Sequence, residues 1–184
     1  LIEKHAEFVV REREPLNGGP PSHLITQTRI TPNDLFFARN HAPTPDIAPE
    51  NYRLVVAGLV DRPLTFSLTE LAGLPQTRLE ATLQCAGNRR TDLFALADIP
   101  GEVPWGDEAI SHAAWSGVSL AHVLELAGVK DNARHVEFIG RDRVEKSGES
   151  FGFGGSIPLK KALAGEVLIA TEMNGEPLPA VHGY

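Results

Sequence analysis

Apolar positions along the chain come in short runs broken by Pro and Gly rather than in long periodic blocks. "YRLVVAGLV" (Tyr52–Val60) has the composition of a strand. "SLTELAGL" places Glu70 three residues after Ser67, the capping-box spacing in which a Ser oxygen and a Glu carboxylate satisfy the free amides of a helix start. That helix is expected to end near Gly73-Leu74-Pro75. "RLEATLQC" (Arg78–Cys85) alternates in part and runs directly into a loop containing Gly87. "SLAHVLELAG" (Ser119–Gly128) carries Leu120, Val123, Leu124 and Ala127 at the spacing of one helix face. "HVEFIG" reads as a strand of period two, and "SIPLKKALA", opening on Ser156 with Pro158 early, as a helix entry. "EVLIATEMNGEPL" predicts a strand, a turn at Asn174-Gly175 and a returning strand. Strands and short helices mix without regular βαβ spacing, so the expected class is α+β with mixed sheets.

The first fifty residues look different. "EPLNGGPPSH" and "RNHAPTPDIAPEN" are rich in Pro and Gly, a composition of ordered arms or of disorder. The two Phe of "DLFFARN" favour an arm that packs on a core.

Composition narrows the function classes. A chain of 184 residues suffices for one domain with a real core. Its net charge of −7, with no cluster of Lys and Arg, argues against a nucleic-acid binder. No apolar run approaches a membrane span. Nothing in the composition decides between a periplasmic and a cytoplasmic location.

The candidate chemistry lies in "LQCAGNRR" (Leu83–Arg90), which holds the only cysteine. A lone cysteine after a strand is ordinarily a small buried hydrophobe. Here Arg89 and Arg90 lower the cost of a nearby thiolate, the form that acts as nucleophile or metal ligand. Gly87 lets the backbone pass close to something bulky, and Asn88 is suited to fixing a loop. A cysteine nucleophile needs a base; His41, His112, His122, His135 and His182 are available, and no sequence feature pairs one of them with Cys85. A zinc site built on several thiols is excluded. Thiolate ligation to a metal whose cofactor brings its own sulfurs stays open.

These residues resemble a known family. "LQCAGNRR" looks like the cysteine loop of the sulfite oxidase family of molybdenum enzymes, and "FFARNHAPTP" (Phe36–Pro45) like its cofactor-binding arm. "GEVPWGDEAISHAAWSGVSLAHVL" and "EMNGEPLPAVHGY" are similar to later family segments, in the same order. The opening "EKHAEFVVREREPLN" is similar to the plant-type enzymes, so the resemblance covers nearly the whole chain.

The resemblance implies a sulfite oxidase-like molybdopterin-binding domain over residues 1–184 and a molybdenum–molybdopterin cofactor. Cys85 is the implied protein ligand to molybdenum, completing a sphere of dithiolene sulfurs and oxo groups. Arg39 and Arg90 fall where the family lines an oxyanion pocket, and a planar guanidinium suits sulfite by offering paired N–H donors. Phe37, Ala38, Arg39, Asn40 and His41 are the implied contacts to the pterin and its phosphate, together with Asp142 and His182. Trp105 corresponds to an aromatic at the substrate channel, while Trp115 reads as core. The implied activity is oxidation of sulfite to sulfate, with electrons passed to an external acceptor such as a cytochrome. Nitrate or a sulfoxide as substrate, or a metal-free binding module on the same scaffold, are the alternatives. The chain stops at Tyr184 inside the family's His-Gly-aromatic-Pro-x-Arg motif. The expectation is therefore a truncated chain lacking the C-terminal part and the dimerisation domain, with the full-length protein a homodimer.

Overall fold

The computed structural model of the protein describes residues 3–146 and 148–183. In chain order its elements are β1 (Val9–Arg13), β2 (Leu16–Gly19), α1 (Ser22–Ile25), β3 (Leu54–Val56), β4 (Leu64–Phe66), α2 (Leu68–Ala72), β5 (Gln76–Gln84), α3 (Arg90–Leu93), β6 (Ile110–Ser119), α4 (Leu120–Ala127), β7 (His135–Lys146), β8 (Glu149–Pro158), α5 (Leu159–Ala162), β9 (Leu168–Met173) and β10 (Glu176–Pro177). Several small sheets and short helices make this an α+β fold. The residues group into two compact units. One holds the chain up to Thr44 with Glu80–Ala114 and Pro179–Gly183; the other holds Pro45–Leu79 and Trp115–Leu178.

The second unit carries most of the elements legible in the pattern. α2 begins at a Ser67/Glu70 capping box with both reciprocal bonds made, and ends at Gly73. α4 buries Leu120, Val123, Leu124 and Ala127 along the expected stripe. Val123 joins Leu71 and Val118 in one apolar cluster, while Leu120 and Leu124 join Ala162 of α5 in another. The strand expected over Tyr52–Val60 is confined to β3, because Gly58 at φ +99° breaks the extended path. β3 pairs with β4, and Val60 makes an isolated bridge to Val129. β9 turns through Asn174 and Gly175, both at positive φ, into β10. β9 also pairs antiparallel with β6, placing Trp115 opposite Met173, and the four strands follow the order β10-β9-β6-β5. Trp115 is buried, as expected of a core residue. Ser156 belongs to β8, so α5 starts two residues later than the pattern suggests, after Pro158. β7 and β8 form a long antiparallel hairpin whose register shifts between Ile139 and Arg143.

The first unit is where the Pro/Gly-rich arm packs. Phe8, Leu35, Phe36, Phe37, Ala38 and Ala42 are buried, as are Val103, Trp105, Ala109 and Ala113. β1 and β2 form a hairpin, and Gly18 makes an isolated bridge to Ala38. A Cβ on Gly18 would meet the carbonyl oxygen of Val9 at 2.4 Å, so only glycine allows this approach. Among the described residues, no helix is long and apolar enough to cross a membrane.

Candidate active site

Cys85 follows the last residue of β5 and is half-buried. Its own amide donates to the carbonyl of Ala109 at 3.0 Å, and its Sγ accepts the amide of Gly87 at 3.4 Å. Asn88 closes the loop: its amide donates to the Cys85 carbonyl at 2.9 Å and its Oδ1 accepts the amide of Ala109 at 3.0 Å. Arg89 then adopts a left-handed φ of 64°, which turns the chain into α3. Its amide donates to the Gly106 carbonyl, and that of Thr91 to the Trp105 carbonyl at 3.0 Å.

The two arginines differ in their commitments. Arg89 pairs with Asp92 at 2.7 Å on the surface, an ordinary exposed ion pair. Arg90 is mostly buried, donates to the Val103 carbonyl at 2.6 Å and pairs with Glu102 at 3.3 Å. Its guanidinium lies against Gly87, where a Cβ would come within 2.7 Å of Nη2. The structure therefore brings Arg90 onto the thiol loop itself. Arg39 bonds two neutral acceptors, the Asn40 carbonyl and Nδ1 of His41 at 3.2 Å, so these bonds leave its charge uncompensated. A guanidinium held this way keeps its attraction for an anion.

Phe37–His41 form an arm whose backbone is anchored almost residue by residue. The Phe36 carbonyl accepts from Lys4 Nζ at 2.9 Å, and the Phe37 amide donates to Ser111 Oγ at 3.1 Å. Ala38 exchanges both backbone bonds with Gly18, at 3.0 and 2.8 Å. The Asn40 amide donates to Asn17 Oδ1 at 2.7 Å, and Asn17 Nδ2 returns a bond to the Asn40 carbonyl at 3.1 Å. Ala109 holds the thiol loop and Ser111 the arm, two residues apart where β6 begins, so one short stretch positions both. At strand rise that separation is about 7 Å.

His182 lies in a short 3₁₀ turn, its ring edge-on to Phe36 with centroids 5.2 Å apart. Burial, with the Lys4 charge adding to it, pushes its pKa down to about 3, so the ring is neutral. Its Nε2 is buried without a hydrogen-bond partner among the described residues. Such an atom in a native fold calls for a missing partner. The indole N–H of Trp105 is in the same state, and Trp105 is 0% exposed. The carbonyl of Trp105, the aromatic expected at the substrate channel, receives the start of α3. Asp142 is on β7 in the second unit, and Cys85, Arg39, Arg90, the arm and His182 belong to the first. It sits where the hairpin register shifts.

Asn88 fixes the loop, as its type suggested, though through the backbone of Ala109, whereas two positioning residues escaped the sequence reading: Asn17 and Ser111 act through side-chain bonds to distant backbone, and a single polar residue in the sequence carries no signal of its partner. Of the five histidines weighed as bases, His112 accepts from or donates to Thr82 at 2.8 Å and lies 3.5 Å from Glu80. It is engaged there and makes no bond to Cys85. Hydrogen bonding to Arg29 is the main cause that holds Glu80 down at about 2.

The family model described as "Oxidoreductase molybdopterin binding domain" matches residues 41–184. Mitochondrial sulfite oxidase of Homo sapiens is 41% identical over 186 residues, covering 98% of this chain and 33% of that protein. An NADH nitrate reductase of Cichorium intybus is 35% identical over 191 residues, covering 100% of this chain and 20% of that protein. The crystal structure of the sulfane dehydrogenase SoxCD from Paracoccus pantotrophus superposes with a TM-score of 0.77 at 28% identity, over 98% of this chain and 44% of that one. The chain thus spans about a third of the human relative's length.

Proposed function

The chain belongs to the family of oxidoreductase molybdopterin-binding domains, and on that premise we propose that residues 1–184 form the cofactor-binding part of a molybdenum enzyme that oxidises sulfite to sulfate. The observation that carries the reading is the Cys85 loop: a lone thiol receiving the Gly87 amide, with the Arg90 guanidinium laid against that glycine. The donor set fits the cofactor. Among the described residues no three His, Cys, Asp or Glu side chains converge to hold a metal ion, so Cys85 would be a single protein ligand and the other ligands would belong to the cofactor. The partnerless Nε2 of neutral His182 suits a polar pterin contact, and the anchored arm Phe37–His41 offers Arg39 to its phosphate or to an anionic substrate. Asp142 is proposed as a further cofactor contact.

When bound, the molybdenum centre supplies oxygen-atom transfer and storage for two electrons. Sulfite and one water then yield sulfate, two protons and two electrons, and an external acceptor removes the electrons one at a time. Arg39 and Arg90 hold and orient the anion; a pre-placed positive pocket is worth most where water is excluded. Nitrate is the second reading, favoured by the similarity to a nitrate reductase.

The test uses the full-length gene product. Molybdenum content and sulfite-dependent reduction of an artificial acceptor are measured for wild type and Cys85→Ser, with nitrate and methionine sulfoxide as competing substrates. The expected result is one molybdenum per chain and turnover on sulfite, both lost in Cys85→Ser. Turnover without molybdenum, or an undiminished variant, sinks the reading. Preference for nitrate replaces the substrate, and a metal-free protein leaves a binding module.

A further inference from the structure

Among the described residues, the buried polar and charged ones are Asn17, Thr31, Glu108 and Ser111. Asn17 and Ser111 hold the arm. Glu108 is the one carboxylate of the four, 2% exposed, and nothing in the reaction outlined above uses it. Its Oε1 accepts Nε of Arg11, on β1, at 2.5 Å and the amide of Gly106 at 3.3 Å.

Glu108 stands where two pieces of the first unit meet. One piece is the strip Trp105–Ala109, which backs the thiol loop. The amides of Thr91, Arg89 and Cys85 donate to the carbonyls of Trp105, Gly106 and Ala109, at 3.0, 2.5 and 3.0 Å. The other piece is the β1–β2 hairpin, which carries the arm through the Gly18–Ala38 bridge and the bonds of Asn17 to Asn40. The hairpin meets Glu108 twice. Arg11 reaches its carboxylate, and Gly19 lies so close to its backbone that a Cβ there would stand 2.1 Å from the Glu108 carbonyl oxygen. Gly106 is confined by the same pair: a Cβ would come within 2.6 Å of Glu108 Oε2 and 3.0 Å of Arg11 Nη2. The ion pair is thus packed on the residue whose carbonyl holds Arg89.

We propose that Glu108, held by Arg11, is a positioning residue that sets the thiol loop relative to the cofactor arm. The proposal rests on the roles given above to Cys85, Arg39 and Arg90. A buried ion pair adds little stability over apolar side chains of the same volume, so the value of this one lies in the geometry it fixes. Arg39 is on the arm and Arg90 on the loop, and an anion held by both feels any slip between hairpin and strip. A shift of about 1 Å is enough to matter at such a site. Ser111 ties the arm to β6 beyond Ala109, whereas Glu108 ties the stretch that receives Arg89 and Thr91.

The experiment uses the full-length protein, first free of metal and then loaded. Backbone amide exchange is followed by mass spectrometry in wild type, Glu108→Gln, Glu108→Ala, Arg11→Ala and the double variant Arg11→Ala/Glu108→Ala. In the metal-free Glu108→Ala protein, exchange over Cys85–Thr91 should be about tenfold faster, with α2 and α4 unchanged. Glu108→Gln keeps an acceptor for both donors and should recover most of the protection. The double variant should be no worse than Glu108→Ala, since the two residues act as one unit. In the loaded enzyme, Glu108→Ala should raise KM for sulfite about tenfold and change kcat by less than about threefold. Exchange that quickens equally along the whole chain would reduce Glu108 to a stabiliser of the fold and overturn the proposal. Unchanged exchange over Cys85–Thr91 would overturn it too, as would an unaltered KM in a sulfite-active Glu108→Ala enzyme. Should Glu108→Ala fail to fold, Arg11→Lys, which keeps the charge and loses the Nε contact, decides the matter by the same readouts, with exchange over the loop expected several-fold faster. A loaded wild type without sulfite turnover removes the sulfite reading, and the exchange result still decides whether Glu108 positions the loop.

Discussion

The amide of Ala109 donates to the side-chain oxygen of Asn88 at 3.0 Å. Ala109 has no exposed surface, so water cannot replace that oxygen. The carbonyl of the same alanine accepts from Cys85, which makes the shape of the thiol loop depend on one amide side chain. A buried donor left without an acceptor costs about 1–3 kcal/mol. Asn88→Ala should therefore lower stability in a urea melt by that amount and reduce molybdenum retention in the full-length protein. Asn88→Asp keeps an acceptor and should recover most of the stability.

Gly87 is the position where the arginine meets the loop. Gly87→Ala puts a methyl within 2.7–2.9 Å of three guanidinium atoms of Arg90. That side chain is held by the Val103 carbonyl and by Glu102, so relief requires breaking at least one of these bonds. The expected signature in the full-length enzyme is a KM for sulfite raised about tenfold or more, with a thermal midpoint lowered by only a few degrees. Arg90→Lys should also raise KM, because a point charge cannot reproduce paired N–H donors. A Gly87→Ala protein with unaltered KM would separate Arg90 from substrate binding.

Asn17 holds the cofactor arm from the far side. It is fully buried and bonds Glu12, the Asn40 amide and the Asn40 carbonyl. Asn17→Ala leaves several of these groups unpaired and should cost about 2–4 kcal/mol. Asn17→Asp should be worse than its near-identical shape suggests, since it sets a carboxylate against the Glu12 carboxylate, where the amide now donates at 2.6 Å. Urea unfolding checks the order Asn, Ala, Asp; a neutral Asn17→Asp would mean that the arm is held elsewhere.

What was legible in the sequence follows from how each element is stabilised. α2 and α4 depend on local spacing, the Ser67/Glu70 box and the four-residue stripe of α4, and both were readable. The Asn174-Gly175 turn declares itself through its positive φ values. β6 gave no signal, because it is buried on both faces over Ala113–Trp115 and shows no alternation. β1 and β2 hide in "REREPLNGG", where tight contacts demand glycine at Gly18 and Gly19 and make a strand look like a loop. At the site, Cys85 and Arg90 stood out by type and neighbourhood. The bonds that place them, from Ala109 and Asn88, join residues about twenty apart and involve backbone, so no pattern of side chains announces them.

The last prediction concerns acid. His182 has an ordinary pKa of 6.5 and is pushed down to about 3 in the fold, first by burial and then by the Lys4 charge. Its folded pKa lies below its unfolded one, so the unfolded chain binds the extra proton between these values. The contribution of neutral His182 is complete above pH 6.5 and is lost as pH falls toward 3. Between pH 6.5 and 4.5 that loss should reach about 2–3 kcal/mol. Glu80, held down at about 2 chiefly by its hydrogen bond to Arg29, begins to lose its contribution only below the ordinary carboxylate value of 4.5, so it does not confuse the upper window. His182→Phe removes the titrating ring and keeps an aromatic edge against Phe36, now 5.2 Å from centroid to centroid. Its unfolding free energy, measured by urea titration at half-unit steps, should be nearly flat from pH 6.5 to 4.5 where the parent protein declines. A parent protein that shows no decline in that window would mean that the ring is hydrated in solution, and the partnerless Nε2 would then no longer point to the cofactor.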